Sequence, residues 1–429
     1  MKILLVNSKF GGGGVTTYAE ELIKCLSQDH ELTVVLPDDS LRPIKTPGVK
    51  VLYHETRKLT RADALFFIRL INEELKPDLV ISSLGIVIPI IVPYLNDNIR
   101  VMTVSHSGRY FHSEYSAFNH RYVDNIVAAS SDYNKRYLER KFRIKDKTKV
   151  RVIYNFMASD SELEKFKDIK KENDPIQIVY AGGGRSATKN PDLVLKVLCE
   201  LLKTDLDFRF IWTGNTMLPL VHLASRKIIK VRDIRQFVKK DDRVVFPGKI
   251  PSKAAFNQLI ASANILISPS RNEGCSMLLL EALRSGAMCM VCDYPHGNRE
   301  IVEKGECGFV IDHKKPMDAY HQLVEVIRHK EEYADCYDHA YATYKNWLSY
   351  PVWKASIESL IAEKTPHEHR KSRVSGIRIS YDIMRMNWLR KNSEIRRFFQ
   401  ITLPCLGSFF SQYVRMKWKK EFSDTDNMM

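Results

Sequence analysis

Two carboxylates with seven residues between them, Glu273 and Glu281, frame the stretch richest in chemistry: Ser268-Pro-Ser-Arg-Asn-Glu-Gly-Cys-Ser-Met-Leu-Leu-Leu-Glu281, followed by Ala282 and Leu283. The apolar residues ending at Ser268 read as a strand, Glu273 and Gly274 as a polar turn, and a helix is expected to begin near Cys275 or Ser276. One carboxylate then precedes a helix N-terminus and the other sits about one and a half turns inside it. Free amides and the positive dipole end attract a diphosphate there, while carboxylates on either side can accept hydrogen bonds from sugar hydroxyls. A structural reading stands beside this one, with Glu273 a solvated turn residue and Glu281 the partner of Arg284 at helical spacing. Glu281, however, interrupts the apolar run Met277 to Leu283, where a carboxylate is costly without a dedicated partner.

The elements needed to position such groups occur twice. Lys2 to Asn7 reads as a short buried strand, Gly11 to Gly14 as a tight turn, and Thr16 to Leu26 as a helix with Tyr18, Leu22 and Leu26 on one face. The same order returns with the strand Ile176 to Ala181, the glycines Gly182, Gly183 and Gly184, and a helix from Pro191 to Leu202. Glycine lets the chain turn sharply at a strand's carboxyl end and lets phosphate approach helix amides. Either cluster alone is equally compatible with a purely structural turn. Neither has the G-x-G-x-x-G spacing of a dinucleotide site, which disfavours a nicotinamide enzyme.

Between the halves, Ser159 to Pro175 carries ten charged residues in seventeen, the composition of an exposed linker. Further strands are expected near Val51 to Tyr53, Leu79 to Ser82, Val101 to Val104, Asn125 to Ala128 and Val150 to Ile153 in the first half. In the second half they are expected at Phe208 to Thr213, Arg243 to Phe246, Ile265 to Ser268, Ala287 to Val291 and Gly308 to Ile311. Alternation of strand and helix implies two α/β domains built on doubly wound parallel sheets, whose ligands bind at the carboxyl ends of the strands. The 429 residues, 44% apolar, suffice for two full cores. The longest apolar stretch, Val80 to Leu95, is broken by serine, glycine and proline, so no membrane span is expected. Without a signal-peptide pattern the expected location is the cytoplasm. Cys289 and Cys292 have C-x-x-C spacing but sit in an apolar run without a second pair, and read as buried strand cysteines.

The segment from Glu273 to Glu281, with Gly after the first glutamate and Ala-Leu after the second, resembles the signature of glycosyltransferase family 4. Gly12-Gly13-Gly14-Val15, Val152-Ile-Tyr-Asn155, Val245-Phe-Pro-Gly-Lys-Ile250, Asp293 to Val302 and Gly305-Glu-Cys-Gly308 are similar to further segments of that family. The resemblance covers roughly residues 1 to 364 and implies a retaining GT-B glycosyltransferase with two Rossmann-like domains facing a cleft. With it come an acceptor domain at 1–160, a linker at 161–175, a nucleotide-sugar domain at 176–345 and a crossover helix at 346–365 returning to the first domain; a tail at 366–429 lies outside the resemblance. It places Glu273 on the transferred sugar, the amides of Gly274, Cys275, Ser276 and Met277 on that sugar and the distal phosphate, and Glu281 on the ribose. Lys189, with Arg185, would neutralise the departing diphosphate, although Arg185 stands one place later than the family pattern. His106, after the strand Arg100 to Val104, would hydrogen-bond the sugar. Gly13, Gly14, Gly183, Gly248, Lys249 and Ile250 complete the implied substrate-binding set.

No Asp-x-Asp suits a metal, since Asp38-Asp39 and Asp241-Asp242 read as turn pairs, so neither metal nor cofactor is expected and the nucleotide-diphosphate sugar is a substrate. The rivals are a nucleotide-sugar epimerase or phosphorylase of similar architecture, and a non-catalytic sugar-nucleotide scaffold. The implied acceptor is a glycan or lipid-linked glycan; sugar, base and linkage stay open. The net charge of +15 is concentrated between Pro366 and Glu421, where thirteen basic residues face four acidic ones among Trp, Phe, Leu and Met. That mixture suits an interfacial helix on an anionic membrane surface, with packing on the first domain as the alternative; nucleic acid is not expected.

Overall fold

The computed structural model describes residues 1–402 apart from 8–13, 38–43, 45, 55–58, 107–110, 158–174, 183–188, 222–227, 239–240, 272, 295, 364–366 and 372. For 111–113, 218–221, 228–232 and 390–402 it describes the backbone alone. The chain forms two compact units, one of residues 1–128, 134–151 and 363–429, the other of 129–133 and 152–362.

The first unit holds β1 (Lys2–Asn7), α1 (Gly14–Asp29), β2 (Glu31–Leu36), β3 (Lys50–Tyr53), α2 (Arg61–Arg69), β4 (Leu79–Ser83), α3 (Val87–Ile91), β5 (Arg100–Ser105), α4 (Phe111–Ser116), β6 (Asn125–Ala128), α5 (Asp132–Phe142) and β7 (Val150–Val152). Its seven strands lie in the order β3-β2-β1-β4-β5-β6-β7, so the direction of winding reverses between β1 and β4. Strand β1 is buried from Ile3 to Asn7 because a parallel sheet is covered on both faces. The apolar stretch from Val80 resolves into β4 and the short α3. Leu84 between them takes a left-handed φ of 56°, an uncommon state for a bulky residue.

The second unit holds β8 (Ile176–Gly182), α6 (Pro191–Leu201), β9 (Phe208–Gly214), β10 (Met217–Val221), β11 (Ile228–Asp233), β12 (Val244–Gly248), α7 (Lys253–Ser262), β13 (Ile265–Ser268), α8 (Met277–Arg284), β14 (Met288–Cys292), α9 (Gly297–Gly305), β15 (Gly308–Ile311), α10 (Pro316–Arg328), α11 (Ala334–Thr343) and α12 (Tyr350–Ala362). Its six-stranded sheet has the order β12-β9-β8-β13-β14-β15, with parallel pairing and a reversal between β8 and β13. Trp212, Phe208 and Phe210 of β9 fill the core beside α6 and α10. Strands β10 and β11 form a separate antiparallel pair. This hairpin and strand β2 were not among the strands expected from sequence.

Helix α12 groups with the second unit, where Trp353 stacks on Phe156 at 4.2 Å. From Glu363 the chain belongs to the first: Arg100 Nη2 donates to the Glu363 carbonyl at 2.7 Å, and Arg151 pairs with its carboxylate at 2.5 Å. Helix α13 (Gly376–Thr402) packs against α2, α3 and α4 of that unit through Ile379, Met386 and Leu389. The expected linker, 161–175, lies almost wholly outside the described residues.

Candidate active site

In the second unit the candidate groups gather at the carboxyl ends of β8 and β13, where the sheet reverses and where open α/β sheets bind ligands. The loop after β13 carries Glu273, and the segment after β8 ends at Lys189, whose ammonium is paired with the Glu273 carboxylate. Both side chains retain partial exposure, 27% and 18%. Two further contacts tie the segments together: Arg271 Nη2 donates to Asn190 Oδ1 at 3.0 Å, and Tyr180 Oη to the Lys189 carbonyl at 3.3 Å. Asn190 stands at a left-handed φ of 51° ahead of α6.

Helix α8 starts at Met277 because Ser276 caps it, its hydroxyl accepting from the Leu279 amide at 3.1 Å. Asn298 at the start of α9 grips the same residue: its Oδ1 accepts from the Ser276 amide at 2.9 Å and its Nδ2 donates to the Ser276 hydroxyl at 3.4 Å. Asn155 Nδ2 donates to the Cys275 carbonyl at 2.6 Å, and His296 Nε2 lies 3.1 Å from the Ser270 carbonyl. Gly297 is the close approach in this arrangement, since a Cβ there would meet the carbonyl oxygens of Ser130 and Gly274 at 2.0 and 2.6 Å. The turn bearing Glu273 is therefore held at its start, its middle and its end. The Ser276 amide, which the family resemblance aims at the sugar and phosphate, is engaged by Asn298.

Glu281 is the fifth residue of α8 and is 6% exposed, among Leu279, Leu280, Ala282 and Leu283. Its carboxylate is paired with Lys253 at the start of α7. A half-exposed lysine thus neutralises a nearly buried carboxylate. Gly248, at a left-handed φ of 72°, ends β12, and its carbonyl accepts from Thr213 Oγ1 at 2.8 Å. Lys249 and Ile250 follow at the carboxyl edge of the same sheet, the first exposed and the second half-buried.

In the first unit His106 follows β5, and its Nε2 lies 2.9 Å from Ser83 Oγ at the end of β4. Tyr18 of α1 packs edge-on against the imidazole at a centroid distance of 4.8 Å. Asn7, at the end of β1, is in register with Ser83. These residues converge on the reversal between β1 and β4. Gly14 opens α1. Gly13, Gly183 and Arg185 lie outside the described residues.

Cys289 and Cys292 are fully buried in β14 and unbridged, and burial pushes the Cys292 thiol up to about 12. Asp293, Asp312 and His313 bring three ligand-type atoms together at the ends of β14 and β15, with His313 Nδ1 2.6 Å from Asp293 Oδ1. Asp293 is held below the usual carboxylate range against its own partial burial, through its hydrogen bonds to the His313 amide and ring.

Comparison with known families assigns this arrangement. Residues 12–160 match the model of Glycosyltransferase Family 4 and residues 161–343 that of Glycosyl transferases group 1. The chain belongs to glycosyltransferase family 4. This family 4 glycosyltransferase shares its fold with HepE of Anabaena in a complex with UDP, at 15% identity and a TM-score of 0.65, over 84% of this chain and 100% of that one. It is similarly matched by the lipopolysaccharide outer core galactosyltransferase WaaB, at 17% identity and a TM-score of 0.61 over 84% and 99% of the two chains. A TarM variant of S. aureus, solved with fondaparinux, α-GlcNAc-glycerol and UDP, matches at 11% identity and 0.62 over 85% and 100%. The two parallel α/β units are those of a GT-B enzyme. Sequence reasoning about the glycosyltransferase assigned no role to Asn155, Lys253, His296 or Asn298, although Asn155 ends the quoted segment Val152-Ile-Tyr-Asn155 and His296 and Asn298 lie in Asp293 to Val302. The spacing signals that a residue is near the site, while its hydrogen-bond partner is a property of the fold.

Proposed function

We propose that this glycosyltransferase transfers a hexose from a nucleoside diphosphate sugar, with retention of configuration and without a metal, to a hydroxyl of a glycan or lipid-linked glycan. It would act in the cytoplasm, in polysaccharide, oligosaccharide or glycolipid assembly, peripherally bound to a membrane through its C-terminal residues. The observation that carries this reading is the Lys189–Glu273 pair at the reversal of the second sheet, beside the N-terminus of α8. The transferred sugar and the phosphate leaving group need a carboxylate and a cation within reach of each other. HepE, solved with UDP-glucose, has the same fold and adds weight to a uridine donor.

In the reaction, the bond from the anomeric carbon to the diphosphate oxygen breaks as the acceptor oxygen attacks from the same face, and the acceptor proton passes to the departing phosphate. Lys189 balances the charge developing on that phosphate, as does the dipole of α8, at whose first turn the Ser276 amide is already engaged by Asn298. Glu273 accepts a hydrogen bond from a sugar hydroxyl, and Glu281 accepts from the ribose. His106 hydrogen-bonds the sugar. No hydrolase-like pair of nucleophile and acid is required.

The test is a panel of nucleotide hexoses with glycan acceptors, read by release of nucleoside diphosphate and by the anomeric configuration of the product in NMR. Retained configuration and a rate unchanged in EDTA are expected. Inversion sinks the retaining assignment. Loss of activity in chelator with recovery in manganese sinks metal independence and directs attention to Asp293, Asp312 and His313.

A further inference from the structure

The large apolar side chains left most exposed are concentrated in the first unit: Tyr53, Leu65, Phe66, Val374, Ile377 and Met384, with Ile377 at 82% and Met384 at 55%. Packing links the elements that carry them. The ring of His54, next to Tyr53, stacks on Phe66 at 4.8 Å. Helix α13 packs on α2, and it begins so near Arg61 that a Cβ on Gly376 would meet the guanidinium at 2.3 Å. Leu65 follows Arg61 by one turn of α2, and Ile377 follows Gly376.

The orientation of α13 is fixed. Ile379, Asp382, Met386 and Leu389 are buried at helical spacing, while Ile377, Ser380, Met384 and Asn387 form the exposed stripe. Ahead of the helix, Arg370 anchors the chain: its side chain is 1% exposed and donates to the carbonyls of Asn96, Ile99 and Tyr122 and to Asp124. His367 lies between Asp97 and Asp124. Arg61, Lys371 and Arg373 are exposed on the same side of the chain sequence and have no acidic partner among the described residues.

We propose that α2, the end of β3 and the exposed stripe of α13 form one composite docking surface for an anionic lipid bilayer, with α13 lying in the interface plane. An apolar patch carrying unpaired arginine and lysine matches the acyl boundary and the phosphate layer together. No described helix is long and apolar enough to cross a membrane, and α13 continues to Thr402 with Arg390, Lys391, Arg396 and Arg397 in its sequence. This inference rests on the peripheral-membrane part of the proposed function and relocates the contact. The tail does not bind alone, because half of its first turns are spent on the first unit and residues more than 300 positions earlier share the surface.

The experiment is cosedimentation of the full-length protein with phosphatidylglycerol-containing and pure phosphatidylcholine vesicles at low and high salt. Binding is expected to the anionic vesicles and to weaken with salt. The triple variant F66S/I377S/M384S and the charge variant R61E/R373E should each lose about tenfold or more in partitioning. Met317→Ser, which removes an exposed apolar residue of the second unit, should lose nothing. Ile377→Glu alone, at a solvent-facing position, keeps the test valid if the triple variant misfolds. Wild-type levels of binding in both the triple and the charge variant overturn the composite surface while leaving membrane association standing. No wild-type binding, or a dimer in light scattering that the triple variant abolishes, overturns it in favour of no lipid contact or a second copy. Nucleotide-sugar turnover on a soluble acceptor reads the catalytic proposal separately.

Discussion

Both sheets reverse their strand order once, and both place their candidate residues at that point, yet the two sites are chemically unlike. At the second reversal Lys189 is paired with Glu273, and nearby Lys253 is paired with Glu281. At the first, the Ser83 hydroxyl lies 2.9 Å from His106 Nε2, Tyr18 packs edge-on against that ring, and Asn7 is in register with Ser83. Among the described residues, the same topology therefore presents ion pairs in one unit and a hydrogen-bonded histidine in the other. A diphosphate leaving group demands fixed charge, because water is displaced when it binds and ion pairing must replace hydration. A hydroxyl demands only a hydrogen-bond partner. The comparison can be broken by substitutions whose effects fall in a definite order.

The largest effect belongs to the Lys189–Glu273 pair. Lys189→Met and Glu273→Gln should each lower kcat by about two to three orders of magnitude, the scale for removing one preorganised transition-state contact. Steady-state kinetics with saturating donor provide the check. If kcat is preserved in both variants, the second reversal is a structural ion pair and its contrast with the first has no catalytic content.

Next comes Asn298, which touches no predicted ligand. Asn298→Leu leaves the buried Ser276 amide and hydroxyl without this partner, at a cost of about 1–3 kcal/mol in stability. A drop in kcat of about tenfold is expected as well, because α8 and the turn before it lose their register. Asn298→Asp restores the acceptor for the amide and should recover part of both losses. Equal kcat in all three proteins, with only the melting temperature changed, would confine Asn298 to folding.

Much of this arrangement was legible in the sequence. Strand β1 was readable because parallel strands buried on both faces are continuously apolar, α1 because its apolar residues repeat at helical spacing, and the return of strand and helix at β8 and α6 marked the second domain; the glycine turns between them lie outside the described residues. Glu281 stood out because a carboxylate inside an apolar helix needs a partner. One partner was not legible: helical spacing offered Arg284, three residues on, and the fold also brings Lys253 from 28 residues earlier. Local spacing sees contacts within an element, and long-range ion pairs are set by how elements cross. The same limit hid Asn155 and Asn298, whose polar side chains look like ordinary loop and helix-end residues. Helix α13 shows the reverse case, in which basic and apolar residues were read as an interfacial segment while the pattern also serves to bury Ile379, Met386 and Leu389 on the first unit.

A smaller effect separates the two carboxylates of the second unit. Glu281→Gln should weaken nucleotide-sugar affinity by about tenfold with little change in kcat, since a ribose contact is the same in ground and transition states. Lys253→Met should change affinity less, because its ammonium is 54% exposed and surface pairing is screened. Calorimetric titration of donor into both variants measures this. An affinity loss confined to Lys253→Met would mean that the lysine, not the glutamate, meets the nucleotide.

The smallest effect should come from Ser83→Ala in the first unit. Ser83 is fully buried at the end of β4, next to the left-handed Leu84, and its hydroxyl is 2.9 Å from His106 Nε2. Removing the Ser83 hydroxyl costs one hydrogen bond, about 1 kcal/mol, which corresponds to roughly fivefold in rate. Tyr18 still packs against the ring, so the imidazole keeps its place while losing the hydroxyl that orients it. The loss should therefore appear in kcat, with the melting temperature nearly unchanged, and Ser83→Thr should restore most of it. A loss above a hundredfold would give the first reversal the same weight as the charged one and erase the contrast between the two units.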